Sequence, residues 1–175
     1  MPNIIRPEDL TENAFKMIGN EWFLVAAEKD SKVNAMTASW GAFGVLWQKN
    51  SAFIFIRESR FTKEFVDCAE TFSLSVFNHA EYADMLGYMG KVSGRDENKI
   101  EKCGLTVLHD EAECGNNAVK TPYFKEAETV FICRKLYAIP LPLENFADKS
   151  IIEKCYSNGD LHTMYAGEIL KVIKK

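Results

Sequence analysis

The sequence predicts a mainly β fold, a β-barrel with peripheral helices. Six or more segments carry the alternation or the short apolar runs that are typical of β-strands. Short helical segments lie between them, and strands and helices do not alternate as they do in a parallel α/β sheet. No G-x-G-x-x-G pattern follows a predicted strand, so we do not expect a Rossmann nucleotide-binding domain.

Composition sets the class of the protein. At 175 residues the chain is predicted to form one domain, 1–175, with residues 1–20 as an N-terminal arm. An apolar fraction of 47% and an aromatic fraction of 12% argue against disorder. The net charge is −4 and no block of Lys and Arg exceeds a pair, which argues against nucleic-acid binding. We expect a cytoplasmic protein, because no apolar stretch is long enough for a membrane span and the first residues lack a secretory signal.

The five cysteines do not predict a disulfide framework or a metal site. They are odd in number and widely spaced, and neither a C-x-x-C pair nor a His/Cys ligand spacing is present. We therefore expect free thiols, which suit a reducing compartment. The five are Cys68, Cys103, Cys114, Cys133 and Cys155.

The first half of the chain is predicted to form strands joined by tight turns, followed by a helix. The polar residues 28–32 and the segment 48–50 are the predicted turns. Thr62 is a reasonable N-cap for the helix that begins there. The predicted strands are 22–27, 33–47 and 51–57, and the predicted helix is 62–70.

The second half predicts further strands with short helices between them. Residues 72–77 alternate apolar and hydroxyl side chains, as a half-buried strand does. A short charged helix is predicted to begin at Ser93 or Gly94. The other predicted helices are 80–89 and 149–156, and the other predicted strands are 105–108, 130–139 and 161–170.

The strand that begins near Asn34 has one face of small and hydroxyl-bearing side chains. Ala35, Thr37, Ser39 and Gly41 share that face, because successive side chains of a strand point to opposite sides. A flat ligand could approach the backbone there. The alternative is that this small-residue strand packs beneath a neighbouring sheet.

A possible phosphate site follows the strand 51–57. Arg57, Ser59, Arg60 and Thr62 place two guanidiniums, two hydroxyls and a helix N-terminus within six residues. Exposed amides, the helix dipole and guanidinium donors all favour an anion. The alternative is an ordinary surface turn after a strand.

Resemblance to a known family favours the phosphate site. Asn34–Trp40, with the sequence NAMTASW, and Arg57–Thr62, with the sequence RESRFT, resemble the signature of the flavin reductase-like, FMN-binding split-barrel family, which includes the flavoredoxins. Ser93-Gly94-Arg95-Asp96 with Lys99 resembles the second signature of this family, and the segment beginning at His162 resembles its terminal motif. The resemblance covers roughly residues 20–170.

The resemblance implies a set of FMN-binding residues. The phosphate side would be bound by Arg57, Ser59, Arg60, Thr62 and Lys99, and His162 would lie beside the flavin. The strand from Met36 to Trp40 would line the ribityl chain and the ring. The whole set is Asn34, Met36, Thr37, Ala38, Ser39, Trp40, Arg57, Ser59, Arg60, Thr62, Ser93, Lys99 and His162.

The resemblance also implies an activity and an assembly. The family predicts a flavoprotein oxidoreductase that uses NAD(P)H as a transient electron donor to reduce flavin or a flavin-linked acceptor. It predicts a homodimer with FMN near the subunit interface. Two alternatives are a flavoredoxin-like carrier that takes electrons from a redox protein partner, and a barrel that binds FMN without turnover. No acid–base pair stands out in the sequence, so no catalytic residue is assigned.

Overall fold

The computed structural model describes residues 3–114 and 117–175. The strands are β1 (Asn3–Ile5), β2 (Phe23–Lys29), β3 (Lys32–Ala38), β4 (Gly41–Leu46), β5 (Lys49–Arg57), β6 (Thr71–Val76), β7 (Val107–Cys114), β8 (Asn117–Phe124), β9 (Thr129–Pro140) and β10 (His162–Lys174). The α-helices are α1 (Ala14–Lys16), α2 (Phe61–Cys68), α3 (His79–Lys91), α4 (Lys99–Lys102) and α5 (Ser150–Cys155). A π-helix, Met17–Glu21, follows α1, and Pro7–Asp9 and Leu143–Asn145 form 3-10 turns.

The main sheet is antiparallel and curls until its two edges meet. Its strand order is β3-β2-β6-β9-β10-β5-β4, with β1 added at the far end of β10. The edge strands β3 and β4 are consecutive in the chain, and only Ser39 and Trp40 separate them. Two residues cannot span a flat sheet of this width, so the sheet must close on itself like a barrel. The predicted mainly β barrel with peripheral helices is confirmed, as a barrel whose edges are not joined by a hydrogen-bonded ladder.

The predicted strand 33–47 is wrong in one respect, because it is two strands. β3 ends at Ala38 and β4 begins at Gly41, so the chain changes from one edge of the sheet to the other at Ser39 and Trp40. The following turn also lies earlier than predicted. Trp47 and Gln48 adopt φ values of 51° and 59°, which is the left-handed backbone that two-residue hairpin turns require. The hairpin between β2 and β3 uses the same conformation.

Two helix starts differ from the prediction. α2 begins at Phe61 after an extended Arg60 without a side-chain cap, and the Thr62 hydroxyl instead accepts a hydrogen bond from Asn34 Nδ2 at 2.8 Å. No helix begins at Ser93 or Gly94, where the chain forms a turn. α4 begins at Lys99. Asn98 is its N-cap, and the side-chain oxygen of Asn98 accepts a hydrogen bond from the amide of Glu101 at 3.3 Å.

Strand β6 is buried on both faces, although its alternation predicted a half-buried strand. The reason is the two-stranded sheet of β7 and β8, which covers the hydroxyl-bearing face. Ser73 Oγ donates to the carbonyl of Pro122 at 2.6 Å, and Thr121 Oγ1 donates to Thr71 Oγ1 at 2.7 Å. β8 was not predicted as a separate strand.

The apolar side chains form two cores, one on each side of the curled sheet. The larger core includes Met36, Ile54, Phe72 and Phe131. The smaller core lies beneath α3 and includes Leu86 and the other buried apolar residues Ala35, Met89, Phe124 and Ile132. The sheet is therefore buried on both faces along much of its length.

The described residues include four free cysteines, and they contain neither a metal-binding cluster nor a membrane-spanning helix. Cys68, Cys103, Cys133 and Cys155 are free, whereas Cys114 lies where side chains are not described. Among the described residues, no group of three His, Cys, Asp or Glu side chains could hold a metal ion. No helix in residues 3–114 and 117–175 is long and apolar enough to cross a membrane.

Candidate functional site

A cationic cavity lies where the ends of β3, β5 and β10 meet. Its volume is about 210 Å³. Two arginines and one histidine face it, and no carboxylate side chain lines it. The lining residues are Met36, Thr37, Ala38, Ser39, Trp40, Phe55, Arg57, Arg60 and His162.

Arg57 is fixed by strand pairing and by a backbone clamp. It is the last residue of β5, and the antiparallel register places it opposite His162, the first residue of β10. Its Nη1 donates to the carbonyl of Asp160 at 2.7 Å, and its Nη2 donates to the carbonyl of Cys155 at 2.9 Å. Arg57 thereby holds the segment that joins α5 to β10 against the end of β5.

Arg60 and Lys99 bind the carboxyl end of helix α3. Arg60 Nη1 donates to the carbonyl of Gly90 at 2.8 Å. Lys99 Nζ donates to the carbonyls of Met89 and Val92 at 2.7 and 2.9 Å. A helix C-terminus carries partial negative charge, so cations are favourable there. Burial, and to a smaller extent the neighbouring Arg60 charge, lowers the pKa of Lys99 to about 8.

His162 is buried between an aromatic ring and a phenol. Its ring lies 5.0 Å from the Trp40 ring, and its Nδ1 is 2.9 Å from the hydroxyl oxygen of Tyr156. Burial, followed by the Arg57 charge, lowers the pKa of His162 to about 4; Asp160 opposes this in part, and Arg60 lowers the pKa by the smallest amount. The imidazole is therefore neutral at pH 7.

An apolar cavity adjoins the cationic one. Its volume is about 620 Å³, and it shares Ser39, Trp40 and Phe55 with the cationic cavity. Most of its other lining residues are apolar or aromatic, and they come from α1, the π-helix, β4, α5 and the segments next to β9 and α5. They include Phe15, Ile18, Phe43, Leu141, Ile151 and Tyr156. Cations therefore lie at one end of the combined site and aromatic side chains at the other.

The structure brings together most of the predicted site residues. Met36, Thr37, Ala38, Ser39, Trp40, Arg57, Arg60 and His162 line the cationic cavity. Asn34, Ser59, Thr62, Ser93 and Lys99 do not line it. The FMN contacts predicted for all of these residues remain predictions.

The predicted site residues outside the cationic cavity have partners elsewhere. Asn34 and Lys99 line a separate cavity of about 550 Å³. The amide and hydroxyl of Ser59 donate to the two carboxylate oxygens of Asp160, at 3.0 and 2.6 Å. Ser93 Oγ accepts a hydrogen bond from the amide of Arg95 at 3.2 Å.

The turn after Ser93 requires a glycine. A Cβ on Gly94 would lie 2.1 Å from Asn34 Oδ1 and 3.1 Å from a ring carbon of Phe61. No larger residue fits at this distance without moving Asn34, which is bonded to Thr62. The second signature block therefore packs against the first through Gly94.

The small-residue face of β3 packs beneath helix α3, not beneath a neighbouring sheet as the alternative interpretation expected. Ala35 is fully buried in the core beneath α3, and Thr37 Oγ1 donates to the carbonyl of Leu86 at 2.5 Å. Ala35 is therefore closed to a ligand, whereas Thr37 and Ser39 of this face line the cationic cavity.

Three residues at the site were missed by sequence reasoning. Phe55 lies two residues before Arg57 on β5 and so shares its face, a signal that the period of a strand could have given. Tyr156 and Asp160 carry no signal in the sequence, because only the pairing of β10 with β5 brings their segment to the site.

Comparison with known proteins identifies the family. The family described as "Flavin reductase like domain" matches residues 16–174. The chain belongs to this family. No curated protein sequence matches this flavin reductase-like chain significantly.

Solved structures of similar fold share little sequence with this flavin reductase-like protein. An FMN-binding domain of a flavin reductases-like enzyme from Shewanella baltica has a TM-score of 0.66 at 15% identity, over 99% of this chain and 77% of that one. Flavoredoxin of Desulfovibrio vulgaris has a TM-score of 0.64 at 21% identity, over 98% and 77%. An FMN-binding protein from Thermus thermophilus with bound p-hydroxybenzaldehyde has a TM-score of 0.63 at 19% identity, over 98% and 81%.

The low pKa of His162 predicts a loss of stability in weak acid. The unfolded chain binds a proton on this histidine near pH 6.5, whereas the folded chain binds it only near pH 4. The unfolded state thus holds more protons between these values, and the free energy of unfolding should fall by roughly 2–4 kcal/mol as the pH drops through this window. Urea denaturation of wild type and His162→Gln at several pH values measures the difference. An equal slope in both proteins between pH 6.5 and pH 4 would contradict the assignment.

Proposed function

We propose that this protein binds FMN and is a flavin-dependent oxidoreductase. The observation that carries the proposal is the polarity of the site, in which a cavity lined by two guanidiniums shares a wall with an aromatic cavity. FMN has the matching polarity, with an anionic phosphate at one end and a flat, largely apolar ring system at the other. Membership of the family supports the same ligand.

Arg60 is the residue best suited to bind the phosphate. Only its Nη1 is bonded, to Gly90, so Nη2 and Nε have no hydrogen-bond partner among the described residues. Both terminal nitrogens of Arg57 already donate to backbone carbonyls. Arg57 therefore acts on the phosphate mainly through its positive charge and not through free hydrogen-bond donors. Ser59 already binds Asp160, so we assign the phosphate to the two arginines rather than to the full predicted set. A guanidinium matches phosphate geometry and stays charged at every relevant pH.

The aromatic end of the site suits a flavin ring. Trp40 is 44% exposed and stands at the junction of the two cavities, with Phe55 beside it. Bound FMN supplies the redox chemistry, while the chain supplies binding, orientation and electrostatics. Because the Trp40 side of the site is open to solvent, a nicotinamide or another electron donor can approach from there.

An electron-carrier function is the second candidate. Structures similar to this chain include a flavoredoxin as well as a flavin reductases-like enzyme. We favour reduction by NAD(P)H, and steady-state oxidation of NADH and NADPH with free FMN as acceptor separates the two candidates. Flavin-dependent oxidation supports the reductase. If the protein retains FMN, and this FMN is reduced by dithionite but by neither NADH nor NADPH, the result supports a carrier that takes electrons from a protein partner.

Replacing Arg60 with Ala should weaken FMN binding. The loss of one charge-assisted bond to the phosphate should cost about 1.5–3 kcal/mol, which is roughly a 10- to 150-fold rise in Kd. Quenching of FMN fluorescence on titration measures the change. Arg6→Ala is the matched control, because Arg6 pairs with Asp9 on the surface and does not line either cavity. Equal FMN affinity in folded Arg60→Ala and wild type would remove the phosphate assignment.

We also propose a homodimer formed through an apolar patch beside the edge strand β4. Val45 is 73% exposed and Trp47 is 58% exposed, and the Trp47 ring lies 6.1 Å from the ring of Tyr137, itself 45% exposed. Ile139 extends the patch along β9. Adjacent exposed aromatic and aliphatic side chains of this kind mark association surfaces.

The dimer proposal predicts an effect of one charge in the patch. Trp47→Glu should shift the protein from dimer to monomer, because a carboxylate would have to be buried without a partner in the interface. Light scattering after gel filtration reports the mass of each variant. Ile4→Glu is the control, since Ile4 is an exposed aliphatic residue of β1 outside the patch. A monomeric wild type, or a Trp47→Glu variant that stays dimeric, would overturn the proposal.

A further inference from the structure

We propose that Tyr156 is a positioning residue that holds His162 in the tautomer with its proton on Nε2. The site thereby gains a fixed hydrogen-bond donor in place of a base. This inference deepens the proposed function, on which its ligand rests, because the donor would serve an acceptor atom of the flavin ring.

The direction of the hydrogen bond between Tyr156 and His162 follows from what surrounds the phenol. Tyr156 is 5% exposed, and its oxygen lies 2.9 Å from His162 Nδ1. The other groups packed on its ring are the Arg57 guanidinium, at 5.4 Å from the ring centre, and Phe146, at 5.5 Å. Neither side chain can accept a hydrogen bond. If Nδ1 donated to the phenol, the buried phenolic proton would have no partner among these neighbours, and an unsatisfied buried donor is unfavourable.

The phenol therefore donates to Nδ1, and this fixes the other ring nitrogen. A neutral imidazole carries one proton on its two ring nitrogens. An unprotonated Nδ1 that accepts the hydrogen bond therefore requires the proton on Nε2. His162 lines the cationic cavity, and Nδ1 is already bonded. Nε2 is then the polar atom that His162 can offer to a ligand, and it offers a donor.

Arg57 fixes the phenol in turn. Its two terminal nitrogens donate to the carbonyls of Cys155 and Asp160, which lie before and after Tyr156 in the sequence. Its guanidinium also lies over the Tyr156 ring. The phenol can therefore move little, and neither can the imidazole, which also packs against Trp40.

A fixed N–H beside Trp40 suits a ligand that presents a carbonyl oxygen or an aromatic nitrogen at the edge of a flat ring. The pyrimidine edge of an isoalloxazine has this chemistry. On this assignment His162 binds and orients the ring and does not remove a proton from a substrate. The Tyr156 ring also lines the apolar cavity, but its hydroxyl acts on the ligand only through His162.

The tautomer can be measured in the ligand-free protein. Side-chain ¹H–¹⁵N NMR of the ¹⁵N-labelled chain distinguishes a protonated ring nitrogen from a bare one, and the His162→Gln variant assigns the signals. We expect the wild-type proton on Nε2. In Tyr156→Phe, which keeps the ring under Arg57, the two nitrogen resonances of His162 should move toward each other as both tautomers become populated. FMN affinity should fall about tenfold, the effect of one misplaced hydrogen bond.

Tyr165→Phe is the matched control. Tyr165 is also buried and also donates its hydroxyl, at 2.5 Å, but to Asp67. This variant should lose stability while leaving the His162 resonances and FMN affinity unchanged. A wild-type proton on Nδ1, or unchanged resonances in Tyr156→Phe, would overturn the proposal whether or not FMN binds. Shifted resonances with unchanged FMN affinity would overturn the donation to flavin, whereas failure of the wild type to bind FMN would overturn the proposed function instead.

Discussion

The antiparallel pairing of β5 with β10 is the constraint on which the site depends. It places Arg57 opposite His162, so that a guanidinium and an imidazole from distant parts of the sequence share one end of the sheet. The guanidinium then binds two carbonyls of the segment that leads into β10. Backbone pairing and a side-chain clamp thus fix the same few residues twice, which gives the cavity a rigid wall.

The electrostatics of the site follow from this arrangement. Arg57 and Arg60 lie in a cavity without a lining carboxylate, in a chain whose net charge is −4. The same two charges, together with burial, keep His162 neutral. The two permanent cations favour an anion at this site. The neutral histidine beside them can form a directional hydrogen bond to an uncharged ring. The carboxyl end of α3 accepts hydrogen bonds from Arg60 and Lys99 and so helps to fix the position of the Arg60 side chain.

The fold class was predictable from the sequence because strand periodicity is a local property. The alternation near Asn34 and the apolar run before Arg57 depend on neighbouring residues alone. The break at Ser39 and Trp40 was not predictable in this way, because it reflects the closure of the sheet, in which the chain changes edges. Likewise the alternation of β6 could not show that β7 and β8 would cover its hydroxyl-bearing face.

The site residues that belong to sequence motifs were predictable, and those outside the motifs were not. Arg57, Arg60 and His162 belong to segments that resemble a family signature, and they converge in the structure. Ser59 and Lys99 belong to the same segments but bind Asp160 and the end of α3, since partners distant in sequence determine where a polar side chain points. Tyr156 and Asp160 reach the site only through tertiary pairing, so no local pattern could have identified them.

The affinity of the wild-type protein for FMN compared with riboflavin tests the central claim most directly. The two ligands share the ring and the ribityl chain and differ in the phosphate, so their ratio isolates the contribution of the cationic cavity. We predict that FMN binds at least about tenfold more tightly, as expected for a charge-assisted phosphate contact. We also predict that raising the salt concentration reduces this ratio. Equal affinity for the two flavins, or no binding of either, would contradict a site built around a phosphate at Arg57 and Arg60.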